Sequence, residues 1–90
     1  ATIDTTPIVS VNTVEYTVYI ENGTNRQAQK VLAMHDGTLA YSQEYGIMYK
    51  SGLLVSMSTD ISSGNIRLRA TPETGVSGTT TYRITRKIMR

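Results

Sequence analysis

Val14-Glu15-Tyr16-Thr17-Val18-Tyr19-Ile20-Glu21 alternates without a break, with Val14, Tyr16, Val18 and Ile20 on one parity and Glu15, Thr17, Tyr19 and Glu21 on the other. A period of two puts one row on each face of a pleated strand, so the apolar row can be buried only against a second layer. A helix would scatter the same residues around its circumference. Nowhere does the chain sustain a helical period, and its many Ser, Thr, Val and Gly residues disfavour one.

Abrupt turn signals divide the remainder into strands of similar length. Asn22-Gly23-Thr24-Asn25 predicts the turn into a return strand over 27–35, in which Leu32 and Met34 face one way and Val31 and Ala33 the other. Asp36-Gly37 predicts a second hairpin, because a tight turn needs φ > 0 and glycine supplies it without steric cost. Leu39, Tyr41 and Tyr45 then share a parity, and Gly46 predicts a bulge before Ile47-Met48-Tyr49. A further strand over Leu53–Thr59, with Leu53, Val55 and Met57 on one face, turns at Asp60–Asn65 and returns as Ile66–Thr71. In that return strand Ile66, Leu68 and Ala70 point inward, and Arg67 and Arg69 outward. After a loop over 73–79, the last strand runs from Thr80 to Met89, with Tyr82, Ile84 and Ile88 inside and Arg83, Thr85 and Lys87 outside. About seven or eight short strands predict an all-β fold, an antiparallel β-sandwich or flattened barrel, and the hairpin spacing suggests a meander.

Ninety residues make one domain. Residues 1–13 are polar and contain Pro7, which lacks an amide proton, so they form an extended N-terminal arm or an edge strand, and 14–90 form the sandwich. Ala1 is what initiator removal or trimming would leave. With no Cys, Phe or Trp, the core is thin and relies on apolar packing supported by neighbouring subunits, and each buried Tyr needs a partner for its hydroxyl. No apolar run reaches the roughly 18 residues of a membrane span, so the chain reads as soluble. Residues 1–45 carry two basic side chains against five acidic ones, and 46–90 carry seven against two, a polarity expected to orient subunits against one another.

The chemistry available is sparse. His35 and Asp36, with Glu44 nearby, form the one place where an acid–base pair can be assembled, but no nucleophile or second base accompanies them, and a turn in which Asp36 bonds its own backbone explains them better. One His and no Cys do not make a zinc site, and the oxygens around Gly64 make a turn better than a calcium loop. No enzyme and no cofactor are expected. Arg67, Arg69, Arg83 and Arg86 would form a basic ladder if their strands paired, yet arginines on a sheet more often face solvent or a subunit than nucleic acid. Tyr19 stands on the polar side of its strand, where it can pack on a neighbour or stack on a sugar. Asn22-Gly23-Thr24 fits a glycosylation acceptor, though its glycine equally suits a turn.

Ala33-Met34-His35-Asp36-Gly37-Thr38, then Glu44-Tyr45-Gly46, Asp60-Ile61-Ser62-Ser63-Gly64-Asn65-Ile66-Arg67-Leu68 and Ala70-Thr71-Pro72, follow one another in an order that resembles a small β-sandwich module of tailed-bacteriophage virion proteins. The resemblance covers roughly Val14 to Arg86. Such modules occur in fibres, neck or collar appendages and small surface proteins, so it implies a non-enzymatic structural subunit, assembled in the bacterial cytoplasm, that decorates or cements a virion as a homo-oligomer. The implied partners are other virion proteins of the capsid, neck or tail; the alternative is a tail-fibre or appendage module that binds host-surface carbohydrate. The expected contacts are Pro7 and Ile8 of the arm, which would add a strand to a neighbour, with Tyr19, Arg67, Arg69, Arg83 and Arg86.

Overall fold

The computed structural model describes residues 2–9, 11–50 and 52–89. It holds seven antiparallel strands and, among the described residues, no helix: β1 (Thr2–Pro7), β2 (Thr13–Asn22), β3 (Asn25–His35), β4 (Ala40–Lys50), β5 (Val55–Ser62), β6 (Asn65–Pro72) and β7 (Thr81–Met89). They form a sandwich of a three-stranded sheet, ordered β1-β6-β5, and a four-stranded sheet, ordered β4-β3-β2-β7. The meander therefore holds only for β2-β3-β4. The chain changes sheets after β1, β4 and β6, and so the acidic first half and basic second half interleave within one molecule.

The alternating row of β2 is the centre of the core: Val14, Tyr16, Val18 and Ile20 are fully buried, together with Val31 and Ala33 of β3. Opposite them lie Val55 and Met57 of β5 and Ile66, Leu68 and Ala70 of β6. Each large side chain placed there contributes about 1.5–3 kcal/mol. Arg67 and Arg69 face outward, as their parity predicts. Leu53 does not join Val55 and Met57. It precedes the strand and is only half-buried, while its neighbour Leu54 is buried.

Turn chemistry sets the registers. The β2–β3 hairpin closes through Gly23-Thr24, with Gly23 at φ 60°. The strand expected to end at Thr59 continues to Ser62, because Asp60 finds Arg67 opposite it and Ile61 finds Ile66. The turn is Ser63-Gly64, both with positive φ (52° and 76°), as a type I′ turn requires. Asp36 Oδ1 accepts hydrogen bonds from the amides of Thr38 (2.9 Å) and Leu39 (2.8 Å), which draws Leu39 out of the predicted strand and into the loop. Gly46, at φ 63°, makes the predicted bulge, where the β3–β4 register shifts between Ala28 and Lys30.

Thr2–Pro7 of the arm is an edge strand of its own sheet, paired with β6. Ala1 and Ser10, which bound that expected arm, lie outside the described residues.

Candidate docking face

Two polar clasps close the open sides of the sandwich, and they decide which surfaces remain free. On one side Gln27 and Gln29, both on the inner parity of β3, are buried beside the core. The Gln27 carboxamide accepts from the amides of Leu54 (2.7 Å) and Val55 (3.1 Å) and donates to the Val55 carbonyl (3.1 Å) and to Gln29 Oε1 (2.6 Å). Gln29 donates to Glu44 Oε2 (2.8 Å), which also accepts the Met57 amide (3.0 Å). Glu44 is thus committed to the edge of β5. On the other side Arg86 reaches from β7 to β1, donating to Asp4 Oδ2 (3.0 Å), the Thr5 carbonyl (3.0 Å) and Thr6 Oγ1 (2.7 Å).

These contacts rule out the basic ladder. Arg67 and Arg69 belong to the three-stranded sheet and share Asp60, which Arg67 grips with two bonds of 2.7 and 2.6 Å. Arg83 belongs to the other sheet, on its outer face opposite Tyr19, and Arg86 turns across the sandwich seam. Pro7 is exposed opposite Asn65, and Ile8 packs half-buried against the core with its amide on the Gly64 carbonyl. Tyr19 donates to Glu21 (3.1 Å).

His35, Asp36 and Glu44 are all engaged in contacts with the chain around them. His35 Nδ1 accepts the Gly37 amide (3.0 Å), so Nε2 carries the proton and donates to the Val11 carbonyl. The Leu39 and Thr38 amides hold Asp36 below the usual carboxylate range. The side-chain amide of Asn22 holds the β6–β7 loop through Ser77 and Thr80. No group of three or more His, Asp or Glu able to hold a metal occurs among the described residues. The Tyr16 hydroxyl, expected to have a partner, is buried beside Thr6 without a hydrogen bond of good geometry, and burial pushes its pKa up while Thr6 opposes that shift.

The two outer faces are unlike. That of the three-stranded sheet presents Ser56, Ser58, Asp60, Arg67, Arg69 and Thr71. Of the eleven large hydrophobic side chains left exposed among the described residues, all but Val9 lie on β3, β4, their connecting loop and β7. Tyr49 and Ile88, the latter expected inside, pair with the inward-facing Gln27 and Val14 and so stand at the margins of the sheet rather than on its outer face. Leu32 (43 % exposed), Met34 (48 %), Tyr41 (47 %) and Met89 (65 %) gather at one end of the four-stranded sheet. Two shallow grooves of about 300 and 230 Å³ flank Leu32 and meet at Thr13. Across the middle of this face Glu15 accepts from Tyr45 (2.8 Å) and pairs with Lys30 (3.5 Å), and Lys87 stands opposite it on β7. Those contacts, the tyrosine bond first, lower the Glu15 pKa. At the far end a third groove of about 210 Å³ lies between Tyr19, Arg26, Tyr49 and Lys50.

Sequence reasoning left the facing of β3 open and missed Gln27 and Gln29. The signal was the parity of the two glutamines, in line with Val31 and Ala33. No family model, curated protein or solved structure matches the chain.

Proposed function

We propose that this protein is a non-enzymatic structural subunit of a bacteriophage virion, assembled in the host cytoplasm, that packs on neighbouring virion subunits through the outer face of its four-stranded sheet. The observation that carries the docking part is the one-sided placement of exposed apolar residues around Leu32. A contiguous apolar patch rimmed by charges is the anatomy of a protein contact, whereas scattered single hydrophobics are ordinary. The virion assignment rests on the sequence resemblance. Mass spectrometry of purified particles should find the chain in many copies, and Leu32→Glu should fold but fail to incorporate. Particles that lack the chain would overturn the virion reading, and full incorporation of Leu32→Glu would overturn the docking face.

One observation favours carbohydrate binding as a second reading: Tyr19 and Tyr49 line a single groove with Arg26 and Lys50. Tyrosine rings beside cationic donors suit an acidic sugar. Glycan-array binding lost in Tyr49→Ala would support it, and an array without signal would remove it.

A further inference from the structure

Each sheet has two edges, and three of the four are blunted. On β5, Gln27 and Glu44 occupy the main-chain groups of Leu54, Val55 and Met57. On β1 the strand is six residues long and ends in Pro7, and Arg86 takes the Thr5 carbonyl. On β7, Arg83 and Lys87 of the outer row repel a second copy of the same strand. The β4 edge has none of these devices. It runs eleven residues without proline, the Glu44 carboxylate is turned into the sandwich, and among the described residues β3 is the only strand that β4 pairs with, β5 of the other sheet meeting it through Glu44 and the Met57 amide.

We infer that β4 pairs antiparallel with β4 of a second copy of this chain, about a two-fold axis at Gln43. The phase of the ladder permits it. The Asp36 amide donates to the Leu39 carbonyl, so hydrogen-bonded and non-bonded pairs alternate from there, and Ala40, Ser42 and Glu44 direct their main-chain groups away from β3. With Gln43 on the axis, Ser42 of each copy meets Glu44 of the other in a hydrogen-bonded pair. The outer row reads Tyr41-Gln43-Tyr45, the same in both directions, so each Tyr41 meets a Tyr45 and Gln43 meets itself. Self-complementarity of this kind is what an isologous contact needs. Both rings are already held on that face, Tyr41 by Asp36 (3.2 Å) and Tyr45 by Glu15. The Gly46 bulge confines the pairing to residues 40–46. The result is a single eight-stranded sheet that joins two Leu32 patches.

This deepens the docking reading by naming the partner of the adjoining edge, and it is tested separately from incorporation into particles. Light scattering of the full chain should give the mass of two chains. Ser42→Pro removes an edge amide that β3 does not use, and should give the mass of one chain with an unchanged circular dichroism spectrum. The chain has no cysteine, so Gln43→Cys offers a clean cross-link: mild oxidation should give a disulfide-linked dimer, while Ser58→Cys on the polar sheet should not. A single-chain mass for the wild type at every concentration overturns the inference, as does Gln43→Cys cross-linking no better than Ser58→Cys. A dimer lost in Leu32→Glu but kept in Ser42→Pro overturns edge pairing and leaves the docking face standing.

Discussion

Gln27 and Val55 exchange two hydrogen bonds, Val55 N–H donating to Gln27 Oε1 and Gln27 Nε2 donating to the Val55 carbonyl, both at 3.1 Å. A side-chain amide thereby does for β5 what the next strand of the sheet would have done. Its remaining contacts, to Leu54 and Gln29, leave no polar atom of the carboxamide idle. Both sheets are held at that seam by a group fully removed from water, which gives the contact its weight.

Gln27→Leu should therefore be costly although the side chains are of similar size. It leaves the Leu54 and Val55 amides buried without an acceptor, at about 1–3 kcal/mol for each such group. Urea unfolding should show a loss on the order of 3 kcal/mol. A loss under about 1 kcal/mol would mean that water replaces the carboxamide freely.

Tyr16→Phe is expected to go the other way. The hydroxyl it removes is buried beside Thr6 without a hydrogen bond of good geometry, so stability should be unchanged or rise by up to about 1 kcal/mol. A clear drop in thermal midpoint would show that the hydroxyl is bonded in solution.

Arg86→Met should loosen β1 selectively. Arg86 is the side chain that ties Asp4, Thr5 and Thr6 to the other sheet, so hydrogen exchange should accelerate at the β1–β6 pairing while β2 and β3 keep their protection. Uniform acceleration across all strands would contradict a local clasp.

Acid should weaken the fold through its outer carboxylates. Asp60 is held below the usual range by its bonds from Arg67, Glu15 by Tyr45 and then Lys30, and Glu21 by Tyr19. A lowered folded-state pKa means that the unfolded chain binds more protons, so the stability is complete above the ordinary carboxylate range and is lost as pH falls through the lowered values. Each of these side chains is more than a third exposed, so each effect is small. Urea midpoints measured from neutral to acid pH should fall along that course. Asp60→Asn should flatten the slope; an unaltered slope would sink the assignment.

Gly64→Ala should cost about 1–2 kcal/mol, since φ there is 76° and nothing lies within 4 Å of an added Cβ. Steric conflict is absent, so the loss is purely one of backbone conformation. A neutral result in thermal unfolding would show that the hairpin adopts another turn.

The sequence by itself determined what is local and periodic. The unbroken alternation of Val14 to Glu21, the positive-φ glycines at positions 23, 46 and 64, and the inward row Ile66, Leu68, Ala70 follow from pleat and turn sterics that act over a few residues. They were legible without knowing which strand lies beside which.

Tertiary structure decided the pairings, and through them the site. That β7 joins β2 and β1 joins β6 depends on contacts between residues some sixty to eighty positions apart, which no local period encodes. On those pairings hang the separation of Arg67 from Arg83, the inward turn of Arg86, and the burial of Gln27 and Gln29. The exposure of Leu32 and Met34 is of the same kind. In β3 both parities carry apolar residues, so which row the core takes is settled only by the layer packed against it, and the row left over becomes the docking face.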